Sequence, residues 1–134
     1  MRLFTSLALL LCLACFSPYS YAMPKFFLRS GRSVPPTLLY PTTNDINLEG
    51  KDILVFRWET TDIAETDHYE LRLYNGYDTT VTGFIMKHNI STSPAKIPAA
   101  TFSEGRVYTW SLRQVFLGGK KSDYSYSSFR VIKK

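Results

Sequence analysis

Four segments of the chain alternate large apolar side chains with polar ones at a spacing of two, the period that sends successive side chains to opposite faces of a β-strand. Over 52–59, Leu54, Phe56 and Trp58 share one face, and Arg57 and Glu59 share the other with Ile53 and Val55. Over 68–74, Tyr69, Leu71 and Leu73 point inward while His68, Glu70, Arg72 and Tyr74 point outward, and the run stops at the turn pair Asn75-Gly76. The segment 108–116 places Tyr108, Trp110 and Leu112 on one side and Thr109, Ser111 and Arg113 on the other. After the loop 117–122, the segment 124–132 directs Phe129 and Val131 to the core and Tyr124, Tyr126 and Arg130 to solvent. Weaker strand signals lie at 37–40, 79–87 and 94–97. No helix start signal precedes a 3.6-residue apolar pattern. Short strands separated by turns predict an all-β, antiparallel sandwich of about seven strands.

The N-terminus reads differently. Arg2 precedes an apolar run of 14 residues from Leu3 to Phe16, then Pro18 and the small-x-small triplet Ser20-Tyr21-Ala22. This is the pattern of a secretory signal peptide over 1–22, too short for the roughly 20 apolar residues that span a bilayer. Cleavage leaves 112 of the 134 residues. Both cysteines, Cys12 and Cys15, lie in the removed part, so the exported chain folds without disulfides. A rival reading stays open. Leu13-Ala14-Cys15 resembles a bacterial lipoprotein cleavage site, with Cys12 where that motif prefers Leu, and a lipid at Cys15 would anchor the product to a membrane. Residues 23–35, with Lys25, Arg29, Gly31, Arg32 and Pro35, form a flexible basic leader to a domain over 36–134.

With Arg2 removed, 15 of the 16 Lys and Arg remain against 11 Asp and Glu, a formal +4. Nine of the acids fall between 45 and 78, and nine bases lie from 79 onward. Interleaving of strands from the two halves would pair these charges across a sheet. The alternative is a basic patch for an anionic surface or polymer. The mild excess and the export signal argue against a nucleic-acid partner.

The residues from Phe102 resemble a known pattern. Phe102-x-Glu104-Gly105-x-x-Tyr108-x-Trp110-x-Leu112 is similar to the turn and sixth strand of fibronectin type III domains. Phe56-x-Trp58 with Tyr69-x-Leu71-x-Leu73 resembles that family's second and third strands, and Ser127-x-Phe129-x-Val131 its last. The resemblance covers roughly 37–132. It implies a tyrosine corner at Tyr108, whose hydroxyl would bond backbone in the preceding turn. Trp110 departs from the smaller aliphatic residue usual there, and 79–93 lacks clean alternation. The fold itself specifies no function.

Catalytic constellations are missing from the pattern. His68 and His88 are the only histidines, the first on the outward side of a predicted strand and the second in a predicted loop. Neither has an evident partner, and no cysteine nucleophile or G-x-S-x-G spacing accompanies them. The loop Asp62-x-x-Glu65-x-Asp67 matches no EF-hand spacing and reads as solvated acids rather than a metal site. Asn89-Ile90-Ser91 is a formal glycosylation acceptor, and Pro41-Thr42-Thr43 resembles a tripeptide of immunoglobulin-like cysteine-protease inhibitors whose companion motifs are missing here. We therefore expect a non-catalytic module without cofactor or metal, exported to the periplasm, cell surface or medium. It would hold a protein or carbohydrate partner, with no membrane-spanning segment in the mature chain. If the third, sixth and seventh strands are neighbours, Arg72, Tyr74, Arg113, Tyr124, Tyr126 and Arg130 share one outer face rich in the residue types of binding hot spots. Two roles are open to that face: partner binding, or cross-strand packing in which Arg lies over Tyr and pairs with Glu70. A different class of function, a small inhibitor or accessory of a secreted hydrolase, would use the loops 60–67 and 117–123.

Overall fold

The computed structural model describes residues 33–134, so the signal peptide expected at 1–22, the lipidation alternative at Cys15 and most of the leader expected at 23–35 lie outside the described residues. Eight strands follow in chain order: β1 (Thr37–Tyr40), β2 (Asp45–Asn47), β3 (Ile53–Glu59), β4 (Thr66–Asn75), β5 (Phe84–Ile90), β6 (Ala95–Pro98), β7 (Val107–Phe116) and β8 (Ser125–Ile132). Short 3₁₀ turns at Ile63–Glu65 and Ala99–Thr101 join some of them, and there is no α-helix among the described residues. The strands form a three-stranded sheet in the order β1-β3-β6 and a five-stranded sheet in the order β2-β8-β7-β4-β5. All pairs are antiparallel except β2, which runs parallel to β8.

Alternation places the core between the sheets. Leu54, Phe56 and Trp58 of β3 face Tyr69, Leu71 and Leu73 of β4, Trp110 and Leu112 of β7, and Phe129 and Val131 of β8, all of them buried. Phe56 sits at the centre, with its ring edge-on to Trp110 at 4.9 Å and to Phe129 at 6.1 Å. Such aromatic pairs add directional contact to the burial of apolar area. The departure at Trp110 has a polar reason: its indole Nε1–H donates to the Pro41 carbonyl at 2.8 Å, giving the buried ring the acceptor it needs. The Tyr108 hydroxyl accepts from the Ser103 N–H at 2.8 Å and ties the start of β7 to the turn that precedes it, the bond that the resemblance implies.

Four expectations shift. The strand expected at 79–87 forms at Phe84–Ile90, because residues 76–83 make a turn. In that turn the Asn75 N–H donates to the Gly83 carbonyl at 2.7 Å. His88 therefore lies in a strand, not a loop. The three-residue β2 has one apolar position, Ile46, too little for an alternation signal, and it brings the count to eight. The element at 94–97 is displaced by one residue to Ala95–Pro98. No helix among the described residues is long and apolar enough to cross a membrane.

Candidate functional site

The outer face of the five-stranded sheet carries cross-strand rows fixed by register. Glu70 of β4 lies opposite Asn89 of β5 and Arg113 of β7. The next row runs Lys87, Arg72, Ser111, Tyr126 across β5, β4, β7 and β8. Because Leu71 and Leu112 belong to the core, their neighbours in sequence turn outward, which is how alternation alone brings these polar groups together.

Glu70 is the organising charge. It is only 3% exposed, yet its carboxylate is surrounded by donors. Arg113 Nε donates to Oε2 at 2.6 Å, and the Lys87 and Lys121 ammonium groups donate to Oε1 at 3.2 Å each. The Tyr124 hydroxyl donates to Oε2 at 3.2 Å. Burial by itself would push the carboxyl up. The hydrogen bonds from Arg113, then Lys121 and Lys87, together with the charge of Arg113, outweigh it and hold the pKa at about 2. Glu70 is ionised at every physiological pH.

Tyr124 is the aromatic centre of the same cluster. The guanidinium of Arg113 lies 4.5 Å from its ring centroid and that of Arg72 5.0 Å, and the Tyr126 ring is 6.0 Å away. Burial raises the Tyr124 phenol to about 12: the neighbouring guanidinium groups oppose that rise and the Glu70 carboxylate adds to it. The hydroxyl stays protonated and acts as a donor.

Of the six residues expected on this face, the structure gathers Arg72, Arg113, Tyr124 and Tyr126. Tyr74 does point outward, but it is 4% exposed with its ring against Phe84 at 6.0 Å, so it is a packing residue. Arg130 is exposed and stands apart, lining a shallow recess of about 250 Å³ with Thr43, Asp45, Tyr77 and Ser128 among others. Two cluster residues escaped the sequence reading as site members. Lys87 sits on the strand whose limits were misplaced, and Lys121 is carried in by the loop after β7, where it forms a bridge with Val115.

The loops of the alternative reading also meet. The Leu117 N–H donates to the Glu65 carbonyl at 2.9 Å, which ties the 117–123 loop to the 3₁₀ turn at Ile63–Glu65. At that end Asp67 Oδ2 bonds His68 Nδ1 at 2.7 Å. Among the described residues no group of three or more His, Cys, Asp or Glu is arranged to hold a metal ion.

No family model matches the chain, and no curated protein sequence does. Solved structures do match. One described as "Myokine structure" aligns with a TM-score of 0.48 at 11% identity, covering 75% of this chain and 98% of that one.

Proposed function

We propose that this chain is an exported, non-catalytic binding module of the fibronectin type III-like kind, and that it holds a protein or carbohydrate partner on the outer face of its five-stranded sheet. The Tyr108–Ser103 bond supports the family reading, because it joins the residues that the tyrosine corner requires. One observation carries the choice of surface. Lys87, Arg113 and Lys121 bond the single carboxylate of Glu70 and Arg72 lies over the Tyr124 ring of the same cluster, a formal surplus of three positive charges beside the Tyr126 ring, which is 53% exposed. Internal packing and partner binding are thus compatible: Arg113 and Tyr124 are held in place by Glu70, and Arg72 and Tyr126 remain to meet a partner. Preorganised aromatic and guanidinium groups lose little entropy on binding.

The test is retention of components of the native envelope or secretome on immobilised protein. Arg72→Gln with Tyr126→Ala is expected to weaken retention at least tenfold with little change in the urea midpoint. Arg113 is left untouched because it holds Glu70. Mass spectrometry of the exported protein is expected to find Met23 at the N-terminus; a diacylated Cys15 would replace export by membrane anchoring.

The inhibitor or accessory reading has an observation of its own. Ile63 and Leu117, 71% and 70% exposed, project from the two loops that the Leu117–Glu65 bond joins. Retention that survives the face variant and is lost in Ile63→Ser with Leu117→Ser would assign the contact to this end.

A further inference from the structure

We infer that the row Lys87, Arg72, Ser111, Tyr126 is a subsite for the oxyanion group, sulfate or carboxylate, of an acidic carbohydrate. The inference rests on the outer face being the contact surface. Adjacent rows differ sharply in charge balance. The row of Asn89, Glu70 and Arg113 contains its own carboxylate, while the row of Lys87, Arg72, Ser111 and Tyr126 contains two cations and no acid. Arg72 and Lys87 are direct cross-strand partners, an arrangement in which like charges repel. Lys87 turns aside to Glu70 at 3.2 Å, so Arg72 forms no ion pair of its own among the described residues. It lies over the Tyr124 ring and bonds the Tyr74 hydroxyl, and the Glu70 carboxylate acts on it only through space.

Two orphaned atoms fall in this row. Arg72 Nε and Ser111 Oγ are buried without a hydrogen-bond partner, and the two residues are opposite one another in the β4–β7 register. Buried polar atoms are seldom left so, and those that are point to a missing ion, water or ligand. Ser111 is fully buried, so a ligand would meet Arg72, Lys87 and Tyr126. The orphaned Nε shows that the internal partners of Arg72, the Tyr74 hydroxyl and the Tyr124 ring, leave it without a carboxylate, in contrast to Arg113. A guanidinium without a carboxylate partner presents a planar fork that fits carboxylate and sulfate oxygens.

The geometry favours a carbohydrate over an acidic peptide. At this row β4 and β7 have a paired strand on each side, so a peptide lying on the face over Arg72 and Ser111 would gain no backbone pairing, the usual source of its affinity for a sheet. A sugar needs only side chains: a ring face to stack on, supplied by exposed Tyr126, and donors for its acid group. From β5 to β8 the row spans about 14 Å, room for a short oligosaccharide.

The experiment titrates the exported protein with four defined probes: sulfated dextran oligosaccharide, oligogalacturonate, neutral dextran oligosaccharide and oligoglutamate. Saturable binding of an acidic sugar is expected, with amide shift changes confined to the row; the stronger of the two acidic probes identifies the oxyanion. Arg72→Gln and Tyr126→Ala should each weaken it at least tenfold, Arg72→Lys less, and Lys96→Gln on the three-stranded sheet not at all. Binding of neither acidic sugar, equal binding of oligoglutamate, or equal loss in Lys96→Gln overturns the inference. Native-partner retention that still depends on the face would then leave the broader reading standing, whereas retention indifferent to the face removes both.

Discussion

Replacing Glu70 by Gln removes one charge while keeping the side chain's size, and the consequence follows from its surroundings. In the wild type, Arg113, Lys121 and Lys87 lower the carboxyl from 4.5 to about 2. A tenfold change in a protonation equilibrium is about 1.4 kcal/mol, so that lowering corresponds to about 3 kcal/mol of folding stability at neutral pH. Lys87 and Lys121 keep part of their surface in water, which screens their share, and about 2 kcal/mol is the expected loss in Glu70→Gln. The sign is fixed by linkage. A carboxylate whose folded pKa is depressed stabilises above its unfolded pKa, and that stability is lost as pH falls through the folded value. Urea unfolding of both proteins, followed by tryptophan fluorescence from pH 7 to pH 2, checks it. The wild type should exceed the variant by about 2 kcal/mol down to about pH 5, and the gap should close towards pH 2. Other carboxylates contribute equally to both proteins and cancel. A gap that stays constant with pH would refute the electrostatic account and leave only packing.

Tyr108→Phe deprives the Ser103 N–H of its acceptor and is expected to cost about 1–3 kcal/mol in urea unfolding; an unchanged midpoint would show that the corner bond contributes nothing. Trp110→Ala leaves a hole beside Phe56 and strands the Pro41 carbonyl, for an expected loss of about 3–5 kcal/mol, and a loss below about 1 kcal/mol would contradict its place in the core. Gly83→Ala would set a Cβ 2.0 Å from the Asp78 carbonyl oxygen, so the 76–83 turn must shift. A loss of about 1–3 kcal/mol is expected from that crowding, with faster amide exchange in β5 than in β7 as the local readout.

Alternation is a local signal, and it is legible wherever a strand buries one face against a large core. The four segments with period two became β3, β4, β7 and β8, displaced at their ends by no more than two residues. Where burial is slight the signal fades. β5 is an edge strand with exposed Phe84 and Ile85, and the polar stretch before it blurs its start; β2 has only Ile46 to bury. Register is not local at all, and the site depends on register. The sequence places Glu70 and Arg72 on an outward face, but which cations arrive there is decided by the neighbours of β4. Those neighbours, β5 and β7, both come from the basic half of the chain, so an acid from the first half meets Lys87, Arg113 and Lys121 from the second. One carboxylate cannot neutralise all that this topology delivers. The positive surplus on the face, and with it the unpaired Arg72, is a consequence of strand order acting on an uneven distribution of charge along the chain.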